Sequence, residues 1–220
     1  ALFAVCFWGR LSVEAASGKA ATKKWAKAYM KIVKKMNKED AARKASGKWG
    51  TISYKPYTYD LIYFDNDSIP ELVVGLDGYW VSMYTYDKKK AKVYNVMDQW
   101  GYGVGGNHGY EYLPKKNSLM NGDADYAGAE YHVFCGKMKN HKIVNRNAKD
   151  LVIKYYIDKN KNGYPDADEY TEKPSYYYGN KKISKKKFNS YIPYANKKYK
   201  PIIGKMSYAK MKKKLTALGA

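Results

Sequence analysis

The sequence predicts an α+β fold: an antiparallel β-meander sheet with an N-terminal amphipathic helix packed on it and a short helical C-terminal tail. Three observations carry this reading. The apolar period changes from helical spacing in residues 20–38 to alternation between Tyr57 and Ile157. The alternating runs are joined by short turns with no crossover helices, which describes antiparallel neighbours. Fourteen of the 25 tyrosines lie between Tyr57 and Ile157, where aromatic side chains suit a pleated surface.

In residues 20–38, Trp25, Tyr29, Ile32, Val33 and Met36 recur at helical spacing, and Lys23, Lys27, Lys31, Lys34, Lys35 and Lys38 occupy the other faces. Such a basic helix can lie on a membrane, but packing of its apolar stripe on a sheet is the commoner outcome and the one expected. Strands are expected at 59–64, 71–76, 80–86, 92–97, 110–113, 130–138 and 150–157. Between two of them, Asp77-Gly78 signals a tight hairpin with positive φ at both residues. Asp87 to Lys90 forms the next turn. Tyr176 to Tyr178, Gly179-Asn180 and Lys181 to Ile183 read as a later hairpin. Ser184 is the expected N-cap of a short helix carrying Phe188 and Tyr191, and Pro193 and Pro201 interrupt regular structure beyond it. Ser207 caps a last helix with Tyr208, Met211, Leu215 and Leu218 on one stripe.

The chain has 220 residues, 45% of them hydrophobic, which supports one well-cored domain over 17–220, with 175–220 forming the hairpin and helical tail. Residues 1–16 read as the remnant of a secretory signal peptide. An apolar run from Ala1 to Trp8 precedes small residues at Val13 and Ala15 that suit cleavage after Ala15. Cys6 is a poor lipidation site because bulky Val5 precedes it. No later run is long enough to span a membrane as a helix. With the signal removed, Cys135 is the remaining cysteine, so no disulfide, zinc site or redox pair can be built. Within Tyr131 to Cys135 it is expected to be a small buried hydrophobe. The expected location is secreted, extracellular or at the cell surface.

A formal charge of +21 raises the question of nucleic acid. Of the 41 basic residues, only Arg10, Arg43 and Arg146 are arginines, whereas base and phosphate recognition favours the guanidinium fork. The lysines are spread along the whole chain. This pattern argues against a specific nucleic-acid partner and for a solvated surface attracted to an anionic cell-wall polymer or glycan.

The most specific motif is residues 158–169. A calcium loop asks for oxygen ligands at positions 1, 3 and 5, Gly at 6, a carbonyl at 7, a ligand or water at 9 and Glu at 12. Asp158, Asn160, Asn162, Gly163, Tyr164, Asp166 and Glu169 fill those places. A hard cation wants six to eight oxygens, which alternate residues of a tight turn can supply. The upstream flank Leu151 to Ile157 is β-like, and Pro165 at position 8 lacks the N–H that paired EF-hands exchange. The expected cofactor is therefore one calcium in a lone extracellular-type loop. Asn at positions 3 and 5 lowers the ligand charge and points to weak binding, about 10⁻⁴ M.

A second acidic turn, Asp65-Asn-Asp67-Ser-Ile-Pro-Glu71, is similar to the calcium turns of β-propeller repeats but lacks their third Asp and Gly. Asp65, Asp67 and Glu71 are its candidates, and a hydrogen-bonded Asx turn is the reading preferred. Gly101, Gly103 and Gly106 match a dinucleotide spacing by number, but loop and strand come next where a helix is required. The same stretch offers Trp100, Tyr102, His108, Tyr110 and Tyr112 as a candidate sugar- or peptide-binding loop, against the commoner packing of aromatics around a turn. No catalytic residues are assigned. His108, His132 and His141 lack metal-ligand spacing, and no nucleophile–base signature is assembled.

At Leu61 to Gly75, including Ile-Pro-Glu-Leu-Val-Val-Gly, then Val81 to Tyr86, Trp100-Gly-Tyr-Gly103, Gly109 to Ser118 with its Tyr-x-Pro-Lys-Lys-Asn-Ser run, and Asp125 to Ala129, the chain resembles uncharacterised secreted or lipoprotein-like proteins of Gram-positive gut bacteria. The resemblance implies a location outside the cytoplasm and no particular activity. The expected function is a secreted, non-enzymatic, calcium-stabilised surface or binding module. A carbohydrate-binding module using the aromatic loop is the first alternative and a secreted hydrolase the second.

Overall fold

The structure, a computed structural model, describes residues 9–48 and 53–220, with side chains described from Lys24 onward. The signal-remnant reading rests on Ala1 to Trp8, including Cys6, which lie outside the described residues, and on side chains up to Ser17 that are likewise not described.

Helix α1 spans Gly9–Ser46, longer at both ends than its apolar stripe. Trp25, Tyr29, Val33 and Met36 are buried as the spacing demands. Four strands succeed it along the chain: β1 (Thr58–Ile62), β2 (Glu71–Leu76), β3 (Trp80–Asp87) and β4 (Lys92–Gly101). They form a four-stranded antiparallel sheet in the order β1-β2-β3-β4. In β2, Leu72 and Val74 join the core under α1, while Val73 joins the core on the other face. This two-sided burial explains why the run reads as continuously apolar.

A second antiparallel sheet is built from β5 (Tyr110–Leu113), β6 (Ser118–Asp125), β7 (Glu130–Lys139), β8 (Lys142–Asn145), β9 (Leu151–Tyr156), β10 (Tyr170–Tyr178), β11 (Lys181–Ile183) and β12 (Lys200–Pro201). Its order is β11-β10-β9-β7-β6-β5-β12, with β8 paired to β7. Strand β8 takes the 136–139 end of β7 and β9 takes the 130–133 end. The α+β architecture with antiparallel strands is as expected. The single sheet expected from the sequence is replaced by two, because β2 and its neighbours are apolar on both faces and the second face must also be covered.

The two sheets share a core of Phe64, Val73, Met83, Met97, Tyr112 and Leu119. The Asn117 side chain fastens β5–β6 to β7: its Oδ1 accepts from Met138 N at 2.6 Å and its Nδ2 donates to Met138 O at 2.9 Å. Helix α2 (Lys185–Ser190) buries Phe188 against Cys135 and Leu151 on the outer face of the second sheet. Helix α3 (Tyr208–Ala217) buries Met211 and Leu215 beside α1. Ser184 and Ser207 cap these helices, accepting from Lys187 N and Lys210 N. Burial pushes the Cys135 thiol up to about 11, which keeps it protonated and unreactive at neutral pH.

Two local expectations change. At Asp77-Gly78 only Gly78 has positive φ (+80°), and Leu76 pairs with Trp80 across a three-residue connection closed by Tyr79 N to Leu76 O at 2.9 Å. Strand β10 begins well before Tyr176 despite containing Pro174, because a register shift between Tyr170 and Ser175 accommodates the missing N–H.

Candidate functional site

The 158–169 loop connects β9 to β10, and the Tyr156–Tyr170 pair closes its base. Ile157 N donates to Glu169 O at 2.9 Å just inside that pair. Gly163 turns the chain with φ +86° and Lys161 with φ +62°. The Asp158 carboxylate accepts from Asn162 N and Gly163 N, both at 3.0 Å. Asn160 Oδ1 accepts from Asn162 N at 3.0 Å, and Asn162 Oδ1 from Tyr164 N at 2.8 Å. Both asparagine amides then donate to Asp166 Oδ2, at 2.6 and 3.0 Å.

Glu169 is 3% exposed. Its Oε1 accepts from Lys159 N at 2.6 Å, and its Oε2 from Asp166 N at 3.2 Å. A buried carboxylate is tolerated there because backbone donors surround it. The side chains of Asp158, Asn160, Asn162, Asp166 and Glu169 thus belong to one closed hydrogen-bond set. In it the two neutral amide N–H groups turn the positive ends of their dipoles toward Asp166.

Among the described residues, no three His, Cys, Asp or Glu side chains gather closely enough to hold a metal by themselves. Ion binding in this loop would therefore depend on the amide and carbonyl oxygens of Asn160, Asn162 and Tyr164 as much as on its carboxylates. That donor set suits a hard cation and no softer one.

The second acidic turn is divided. Asp65 Oδ1 accepts from Asp67 N at 2.9 Å and Asp67 Oδ1 from Ile69 N at 2.6 Å, two Asx turns in succession. Glu71 instead lies in the core at 1% exposure, accepting from Phe64 N at 2.8 Å and bonded to the Thr85 hydroxyl at 3.2 Å. Burial, opposed by the Phe64 N–H and reinforced by the Asp65 and Asp67 charges, raises its pKa to about 8.

The aromatic loop is largely consumed by packing. Tyr112 is buried and stacks near Phe64. Trp100 packs edge-on against Tyr110 and Phe134, at 5.2 and 6.2 Å between centroids. The Tyr102 hydroxyl accepts from Gly78 N at 3.2 Å, and the Tyr110 hydroxyl donates to Gly101 O at 3.2 Å. His108 stays exposed beside these rings, and with Tyr110 it lines a pocket of about 380 Å³ that also takes in Glu111, Met120, Asn121 and Ile203.

Sequence reasoning missed one polar cluster on the second sheet. Register places Glu130 opposite Lys154. The Glu130 carboxylate meets Lys154 Nζ at 2.9 Å, His132 Nε2 at 3.1 Å and the Tyr156 hydroxyl at 2.8 Å. Burial pushes Glu130 up, but the Lys154 and Tyr156 hydrogen bonds and the Lys154 charge outweigh it and hold the carboxyl below its usual range. Lys154 is raised in turn by Glu130 and Tyr156 despite its own burial. The faint sequence signal is Glu130-x-His132 and Lys154-x-Tyr156, each spaced to share one strand face. With both carboxylate oxygens engaged, the cluster is an internally neutralised brace between β7 and β9.

No protein-family model matches the chain, and neither a curated protein nor a solved structure does. Among the described residues, no helix is long and apolar enough to cross a membrane.

Proposed function

We propose that the chain is a secreted, non-enzymatic, calcium-stabilised surface or binding module whose lysine-rich exterior associates with anionic cell-envelope polymers. The observation that carries this reading is the closed set of oxygens at 158–169, joined to β9 and β10 at a paired base. Asp158, Asn160, Asn162, Asp166 and Glu169 would hold the ion by side-chain oxygens and Tyr164 by its carbonyl. When bound, calcium would offer Asp166 a full positive charge where the two asparagine amides offer hydrogen bonds, and would pin the end of β9 to the start of β10.

Calcium at 1 mM should raise the unfolding free energy by about 1–2 kcal/mol if the dissociation constant is about 10⁻⁴ M. Calorimetric titration and thermal unfolding with and without chelator check this. Absence of both heat and stabilisation, with Asp158→Ala behaving as wild type, would reject the ion.

Attraction to an envelope polymer is supported by the +21 charge spread over many exposed lysines. Exposed charges are screened beyond about 10 Å at 0.1 M salt. Retention of the protein on purified cell walls is therefore expected to fall steeply between low salt and about 0.3 M salt. Retention indifferent to salt would remove the electrostatic partner and leave the calcium loop untouched.

A further inference from the structure

Beside the 158–169 loop lies a pocket of about 400 Å³ lined by the Ala127–Ala129 turn, Tyr155, Tyr170, Thr171 and Glu172. The turn that borders it is strained. Tyr126 and Ala127 have φ of +51° and +53°, a region that side chains with a Cβ enter at a cost of about 1–2 kcal/mol each. Strain of this kind persists where the surroundings enforce it, and such places often carry function. Here it accompanies an outward-facing ring: Tyr126 is 42% exposed and meets Tyr164 of the loop edge-on at 6.0 Å, with Tyr164 itself 59% exposed. Tyr170, on the pocket, is 53% exposed.

Charge narrows the ligand. In a chain of 41 basic and 20 acidic residues, the only Asp, Glu, Lys, Arg or His among the described residues lining this pocket is Glu172. A polyanion has no cation to meet there. An uncharged sugar ring matches the lining: its C–H face can lie on a tyrosine, and its hydroxyls can donate to the Glu172 carboxylate on the same strand face.

We propose that this pocket is a saccharide subsite for an uncharged hexopyranose unit of an oligosaccharide, with Tyr170 as stacking platform and Tyr164 as an arm positioned by the 158–169 loop. The proposal rests on the reading of the chain as a secreted binding module and moves its glycan contact away from Trp100 and Tyr110. Tyr164 is loop position 7, so an ion held by its carbonyl would also fix the ring that braces Tyr126. Saccharide and calcium affinities are then linked reciprocally.

The test titrates chitotetraose, cellotetraose, maltotetraose and β-mannotetraose separately into the full chain, in calcium and in chelator, by calorimetry. At least one should bind saturably. Tyr170→Ala should weaken it about tenfold or more, as loss of a central aromatic anchor does, whereas Tyr63→Ala, another exposed tyrosine, should not. Chelation or Asp158→Ala should weaken it several-fold. No saturable binding by any of the four, or binding unchanged in Tyr170→Ala with circular dichroism intact, overturns the subsite. Calcium heat without sugar binding overturns the subsite alone and keeps the ion loop. Sugar binding lost in Tyr170→Ala yet indifferent to chelator supports the pocket and refutes its coupling to the loop.

Discussion

Gly103→Ala is expected to destabilise the protein by roughly 3–5 kcal/mol, at the top of the range for a single substitution. Gly103 has φ +92°, and a Cβ built there would sit 2.2 Å from the Gly78 carbonyl oxygen. The obstacle is backbone, so no rotamer change relieves it. Tyr102 fixes the approach from the neighbouring position, its N–H donating to Tyr79 O at 2.9 Å and its hydroxyl accepting from Gly78 N. Gly105 supplies the control: φ is +63° and nothing lies within 4 Å of its Cβ, so Gly105→Ala should cost only about 1 kcal/mol for the left-handed backbone. Urea unfolding of both variants measures the difference. Equal costs would mean that the 101–106 loop does not press on the β2–β3 turn in solution. Of the glycines that imitate a dinucleotide fingerprint, Gly103 is tied to the β2–β3 turn and Gly106 to Ala124 of β6, a matter of close packing rather than of a phosphate.

Replacing Glu71 by Gln should stabilise the fold, and by more as pH rises. The folded pKa is about 8, against an ordinary value of 4.5. For a group raised on folding, its favourable contribution is complete below the unfolded value and is lost as pH climbs through the folded one. Wild-type stability should therefore decline between about pH 5 and pH 8 by on the order of 3 kcal/mol from this group, since each unit of difference is about 1.4 kcal/mol. In Glu71→Gln the amide oxygen can still accept from Phe64 N and the amide nitrogen can donate to the Thr85 hydroxyl, so both present partners keep a hydrogen bond. The slope should flatten in this variant. Chemical denaturation at several pH values reads it directly. Calcium at the Asp65–Asp67 turn would lower the Glu71 pKa toward its ordinary value and flatten the decline. A wild-type slope that flattens only in calcium would place a cation there after all.

How much of this could be read from the chain differs from element to element. The strands at 71–76 and 110–113 stand at the predicted limits, because local apolar patterning and turn residues suffice to mark a short run. The serine caps at Ser184 and Ser207 are likewise local chemistry. Strand β6 escaped notice because Asn121, Gly122, Asp123 and Asp125 are poor strand formers. Its pairing with β5 and β7 imposes the extended backbone regardless. The partition into two sheets was also hidden, since alternation reports which residues are buried and not which layer buries them.

The sites divide in the same way. A contiguous hydrogen-bonded turn can be recognised because its members succeed one another along the chain, and the sequence by itself determined that Asp158, Asn160, Asn162, Tyr164, Asp166 and Glu169 belong together. It also determined the antiparallel α+β character and the basic, lysine-rich surface. Tertiary structure alone decided that Glu71 is a core carboxyl, that Tyr112 is buried near Phe64 while Trp100 packs edge-on against Tyr110 and Phe134, and that Glu130 meets Lys154. It alone brought Tyr126 against Tyr164 and set Tyr170 on a pocket beside the Ala127–Ala129 turn. The reason is physical: spacing along the chain records neighbours within a turn or a strand, whereas burial and contact across strands arise from register and layer packing, which many distant residues set together.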